Sequence, residues 1–202
     1  MFEMLQKFTR LLLLIASSLL SACQGGGGQP LAANQAWLKH GAAITLPGIQ
    51  EEEPYFSIQQ LLTASYGHET QSLMTLLDVD EGGIRLAGVS ILGVRLFKLV
   101  YDGTGVHVQE LAMLGNMPAP SQILLDIMLA YWPVQAWENA LPEGWYLLDQ
   151  GNSRHLYDEH GKAVYQISYD VNSDSSERRT PVRIEQFVLG YSIQIQTIGG
   201  VP

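Results

Sequence analysis

One stretch interrupts a chain that otherwise reads as short strands. Residues 122–131 place Ile123, Leu124, Ile127, Met128 and Tyr131 at helical spacing. Leu125 and Leu129 widen the stripe, so that only Gln122 and Asp126 are polar. A helix this apolar must lie buried or cover an apolar cavity. Pro118-Ala119-Pro120-Ser121 leads into it, with Ser121 as the expected N-cap, and Trp132-Pro133 stops it. A short second helix is predicted over 134–140, closed by Leu141-Pro142-Glu143-Gly144.

Strand signals occupy the chain on both sides of this insert. The first set is predicted over 55–64, 70–79, 84–90, 94–101 and 106–112. Turns at Tyr66-Gly67-His68, Glu81-Gly82-Gly83 and Asp102-Gly103-Thr104-Gly105 separate them. The second set covers 145–149, 154–158, 163–170, 182–188 and 191–198, with a polar loop over 171–180. Short strands joined by glycine-bearing turns predict an antiparallel meander. A curved antiparallel sheet whose inner face is covered by the apolar insert is an economical packing of this order. Its interior is either a filled core or a ligand pocket. Alternation turns Phe97, Leu99 and Tyr101 inward, because Lys98 should face water. Tyr165, Ile167, Tyr169, Ile193 and Ile195 are inward candidates by the same pattern, and Ile127, Met128, Tyr131 and Trp132 come from the lid.

The N-terminus constrains where such a fold works. Lys7 and Arg10 precede an apolar run ending in Leu20-Ser21-Ala22-Cys23. A charged region, a short apolar region and small residues before a cut site read as a secretory signal over 1–22. The apolar run is too short to span a bilayer of about 30 Å. Leu-Ser-Ala-Cys resembles the lipobox of bacterial lipoproteins, which implies acylation of Cys23, the one cysteine of the chain. With Cys23 lipidated no disulfide remains, and the fold rests on its core. Residues 23–50 then read as a lipidated terminus, a glycine-rich tether and a lead-in, and 51–202 as one domain. In lipoprotein sorting an aspartate after the cysteine retains the protein at the inner membrane. Gln24 stands there, which implies the periplasmic face of the outer membrane.

Charge excludes several functions. Removing 1–22 leaves 9 basic and 19 acidic residues, a formal charge of −10. Nucleic-acid binding needs a basic footprint, which is absent. No Gly-x-Ser-x-Gly and no phosphate-cradling glycine loop occurs. The five histidines are scattered, no carboxylate pair suits acid–base work, and the expectation is no enzyme, no metal and no cofactor.

Val89-Ser90-Ile91-Leu92-Gly93-Val94 is unusual for a turn, because Ile91 and Leu92 occupy its tip. Exposed, they call for membrane, ligand or partner; the alternative is that the tip folds inward. Four stretches together carry a family resemblance: Leu20-Ser21-Ala22-Cys23; Ser90-Ile91-Leu92-Gly93; Ala136-Trp137-Glu138-Asn139-Ala140-Leu141-Pro142; and Pro181-Val182-Arg183-Ile184-Glu185 with the final strand. They resemble LolB, the outer-membrane receptor that takes lipoproteins from their periplasmic carrier. The chain more closely resembles a group of bacterial lipoproteins defined as a domain of unknown function, near the LolA/LolB-like half-barrels. That group is often encoded beside aryl-polyene lipid biosynthesis genes.

The resemblance implies a mainly β fold, an incomplete antiparallel β-barrel with a helical lid over an apolar cavity. It implies acylated or other apolar cargo, a periplasmic carrier as partner, and membrane delivery through Ile91 and Leu92. LolB has proline before its loop leucine, where this chain has Ile91. A scaffold lipoprotein with a solid core is the alternative.

Overall fold

Alternating apolar and polar side chains give twelve strands among the described residues, which are 31–49, 55–111, 118–171 and 179–201 of a computed structural model. The signal segment, Cys23, the glycine tether, the acidic run Glu51, Glu52 and Glu53, and most of the polar loop over 171–180 lie outside the described residues. The strands are β1 (Gln35–Lys39), β2 (Ala42–Thr45), β3 (Phe56–Tyr66), β4 (Glu69–Asp80), β5 (Gly83–Val89), β6 (Arg95–Tyr101) and β7 (Val106–Leu111), then β8 (Tyr146–Gln150), β9 (Ser153–Tyr157), β10 (Ala163–Tyr169), β11 (Pro181–Gln186) and β12 (Tyr191–Val201). Between β7 and β8 come helix α1 (Pro120–Tyr131) and a 3-10 turn (Val134–Trp137).

Ten strands form one antiparallel sheet in the order β7-β6-β5-β4-β3-β12-β11-β10-β9-β8. Two meanders, β3 to β7 and β8 to β12, are joined where β12 pairs along nearly the whole of β3, from Tyr191 opposite Tyr66 to Val201 opposite Ser57. The edge strands β7 and β8 do not pair, so the sheet stays open. Among the described residues this is an incomplete antiparallel barrel with one α-helix, mainly β as the strand pattern predicts. Among the described residues no helix is long and apolar enough to cross a membrane.

The inner face is where the core forms. Phe56, Ile58, Leu77, Val79, Ile84, Leu86, Leu99, Leu156, Ile167 and Ile184 point from the sheet into a cluster completed by α1. Leu124, Leu125, Met128 and Leu129 of α1 are fully buried there. Each contributes about 2 kcal/mol relative to exposure, so the helix is held chiefly by its apolar face.

The structure departs from the sequence reading in three places. Residues 31–49, read as lead-in to a domain starting at 51, belong to the same compact unit, which begins at Leu31. The β1–β2 hairpin within it buries Ala36, Leu38, Ile44 and Leu46 in the core. Helix α1 begins at Pro120 with Ala119 as N-cap and no side-chain cap, so Ser121 lies inside the first turn instead of capping it. Proline at the first helical position supplies the fixed φ that starts the helix, and its missing N–H would be unpaired there anyway. The second helix is only the 3-10 turn, because the chain must turn at once to place Trp137 in the core.

Candidate functional site

Helix α1 lies on the inner face as a lid, and polar residues fasten it at both ends. Near its N-terminus, Gln122 accepts a hydrogen bond from the backbone N–H of Trp37 at 3.1 Å. Its amide donates to the hydroxyls of Tyr165 (2.8 Å) and Tyr191 (3.2 Å). One turn later, Asp126 accepts from Tyr191 at 2.7 and 3.0 Å. The two tyrosine hydroxyls are 3.0 Å apart. Asp126 is only 3% exposed, and burial pushes its carboxyl up to about 7, although the tyrosine hydrogen bonds oppose that rise. Burial drives Tyr165 and Tyr191 well above the usual phenol range.

At the other end, Arg154 of β9 donates to the carbonyls of Leu129 (2.9 Å) and Trp132 (2.5 Å). These are among the carbonyls a helix C-terminus leaves without intrahelical partners. Arg154 also grips Asp149 with two bonds of 2.8 and 2.9 Å. Tyr169 donates to the carbonyl of Ala130 at 2.8 Å. Gln60 donates to the Tyr131 hydroxyl at 2.9 Å, and the Tyr131 ring meets Phe56 with centroids 5.1 Å apart.

The inward candidates lie in or against the core, with Ile195 also lining a surface groove. Phe97, Leu99, Tyr101, Met128, Trp132, Tyr165, Ile167 and Tyr169 are buried, while Ile127, Tyr131, Ile193 and Ile195 are half-buried against the core. The buried ones fill the core. Tyr101 spends its hydroxyl on the carbonyls of Leu46 (3.1 Å) and Pro47 (2.8 Å), and Tyr165 and Tyr169 are engaged as above. Among the described residues, the space under the lid is packed with side chains of the helix and the sheet. Two shallow surface grooves are formed by described residues. One, of about 370 Å³, is lined by Leu61, Thr63, Val182, Arg183, Gln194, Ile195 and Gln196, where pairing between β11 and β12 stops at Arg183 and Gln194. Two polar atoms in the core find no acceptor among the described residues, the indole N–H groups of Trp132 and Trp137. Each such orphan costs about 1–3 kcal/mol.

The tip between β5 and β6 does not fold inward. Ile91 is 73% and Leu92 86% exposed. The turn is closed by bonds from the Ser90 N–H to the Val94 carbonyl (2.8 Å) and from the Gly93 N–H to the Ser90 carbonyl (2.9 Å). Gly93 takes a φ of +81°, which an L side chain rarely adopts. Both aliphatic side chains therefore project into solvent.

Sequence reasoning missed the polar fastening. Its signal was present: Gln122 and Asp126 are four apart, hence on one helix face, and are the only polar residues between 122 and 131. The partners come from strands distant in sequence, and no periodicity pairs them with the helix.

The fold and site define a lidded, open antiparallel barrel. The chain belongs to the protein family DUF3261, described as proteins of unknown function, whose model matches residues 57–199. Solved structures with similarity include a domain assigned to an outer membrane lipoprotein-sorting protein of Vibrio parahaemolyticus, with 9% identity and a TM-score of 0.41 over 75% of this chain and 86% of that one. Another is a LolA superfamily protein from Nitrosomonas europaea, with 9% identity and a TM-score of 0.40 over 76% of this chain and 90% of that one. Comparison with curated proteins finds no match.

Proposed function

We propose that this chain is a non-enzymatic lipoprotein, anchored through acylated Cys23 at the periplasmic face of the outer membrane, that takes up acyl chains or another long apolar group beneath α1. The observation that carries the reading is the lid itself: a single, almost wholly apolar helix laid on the inner face of an open sheet. Displacing it would bare Leu124, Leu125, Met128 and Leu129 together with the inner sheet. On the helix side alone that exposes roughly 8 kcal/mol of apolar burial at about 2 kcal/mol per side chain. A sixteen-carbon chain, at about 0.8 kcal/mol per buried CH₂, supplies an amount of the same order. Cargo therefore replaces the lid's contacts rather than filling a standing void. The orphan indoles of Trp132 and Trp137 would give an ester or carboxyl head two donors there.

Ile91 and Leu92 serve this function by entering the bilayer and coupling uptake or release to the membrane. The cargo is a lipoprotein acyl group handed over by a periplasmic carrier, or an aryl-polyene lipid. Mass spectrometry of protein extracted gently from its native envelope tests the reading. A stoichiometric co-purified lipid supports it, and lipid-free folded protein opposes it. The filled interior favours one other reading, a scaffold lipoprotein that acts through its surface.

A further inference from the structure

Asp126 is a buried carboxyl with no cation beside it among the described residues. The described charged side chains on β1, β7, β9 and β11 all have partners elsewhere. On β1, the Lys39 ammonium is bound to Asp158 and Glu159 at 3.0 Å. On β11, Arg183 and Glu185 pair with each other at 2.9 Å. On β9, Arg154 holds Asp149 and the far end of the helix, and His155 meets the Ser153 hydroxyl. On β7, His107 meets Asp102. α1 itself carries no other charge. What faces Asp126 is Tyr191 from β12 and Tyr165 from β10, with Gln122 binding both hydroxyls and the backbone of β1. One carboxyl thus sits at the junction of the lid with three strands.

We infer that the Asp126–Tyr191–Tyr165–Gln122 cluster is a proton-operated latch: protonated Asp126 holds α1 against β10 and β12, and ionised Asp126 loosens it. The physical ground is the cost of a buried charge without a counter-ion. With the lid lifted, Asp126 meets water and ionises as an ordinary carboxyl. With the lid down it keeps its proton up to about pH 7. The closed form therefore binds more protons than the open form between about pH 4 and 7, and opening becomes easier as pH rises through that window. What the opened lid admits rests on the acyl-chain reading above; the latch does not.

Hydrogen exchange on the full mature lipoprotein in detergent micelles, without added lipid, tests it. Protection of the α1 amides, corrected for intrinsic exchange, should fall by one to two orders of magnitude from pH 5 to pH 7. Amides of β3 and β4 should change far less. In Asp126→Asn the α1 protection should be flat with pH. Equal slopes in wild type and Asp126→Asn overturn the latch, and so does a slope shared equally by α1 and the sheet. Should Asp126→Asn fail to fold, Tyr191→Phe removes a donor to the carboxylate and should shift the loosening to higher pH; an unmoved midpoint overturns the inference. A working latch with no lipid binding would remove the acyl-chain reading alone.

Discussion

Arg154, from β9, donates a guanidinium N–H to the carbonyl of Trp132, the residue that caps α1, at 2.5 Å. The same side chain reaches the Leu129 carbonyl and clamps Asp149, while only 5% of Arg154 is exposed. One residue thus ties the end of the lid to the second meander.

Arg154→Met should therefore destabilise the protein by about 3 kcal/mol, chiefly because it strands buried helix-end carbonyls; the Asp149 side of the ion pair is 39% exposed and adds little. Urea unfolding measures this. Asp149 retains Arg179 at 2.8 Å, so the loss comes mainly from the helix carbonyls. Asp149→Asn should accordingly cost less than Arg154→Met.

Gly88 of β5 lies against the ring of Phe97, which packs in the core. A Cβ at Gly88 would fall 2.2 Å from the ring. Gly88→Ala should force Phe97 off its position and cost about 2 kcal/mol by overpacking. Gly67→Ala, where nothing lies within 4 Å but φ is +57°, separates the two origins of a glycine requirement: its cost is backbone strain alone, about 1 kcal/mol. Thermal unfolding of both variants checks the order.

Stability should depend on pH through Asp126 with a definite sign. Its folded pKa of about 7 lies above the unfolded value. The unfolded chain gives up this proton first as pH rises, so the stabilisation is full below about pH 4 and is lost progressively up to about pH 7. Asp158, lowered to about 2 chiefly by the Lys162 backbone N–H, acts in the opposite sense and loses its contribution as pH falls through that value. Maximum stability should thus lie near pH 4 to 5, with wild type declining towards pH 7. Asp126→Asn should be flat over that window and more stable than wild type at pH 7. Urea titrations at several pH values decide it.

The Ile91–Leu92 tip should be dispensable for folding and needed for membrane coupling. Leu92→Glu replaces a side chain that is almost wholly in solvent, so the melting temperature should shift by less than about 2 °C. Delivery of a fluorescent acyl cargo to vesicles should fall at least tenfold. Normal delivery by Leu92→Glu would remove the tip from the mechanism.

The strands were legible because each has an inward row at period two and a turn at its end, as in β6, where Phe97, Leu99 and Tyr101 alternate with Lys98 and Val100. The lid was legible because so few polar residues break its stripe. The β1–β2 hairpin was not, since Gln35 to Thr45 is short and its inward residues are buried only through elements distant in sequence, by contacts such as Gln186 with the Leu38 carbonyl and the backbone of Trp37 with Gln122 of α1. Nor could pattern tell a filled interior from a hollow one. Inward tyrosines suit either, and only the closed bonds of Tyr101, Tyr165 and Tyr169 show them engaged in packing. Val164 escaped because a register shift between Ala163 and Tyr165 lets two successive residues face inward.

Titration of the folded, mature protein with a fluorescent long-chain fatty acid tests most directly whether apolar cargo can take the lid's place. The account predicts saturable one-to-one binding, competed by unlabelled fatty acid and accompanied by loss of hydrogen-exchange protection in α1. Non-saturable partitioning, or no binding while the protein stays folded, would contradict it.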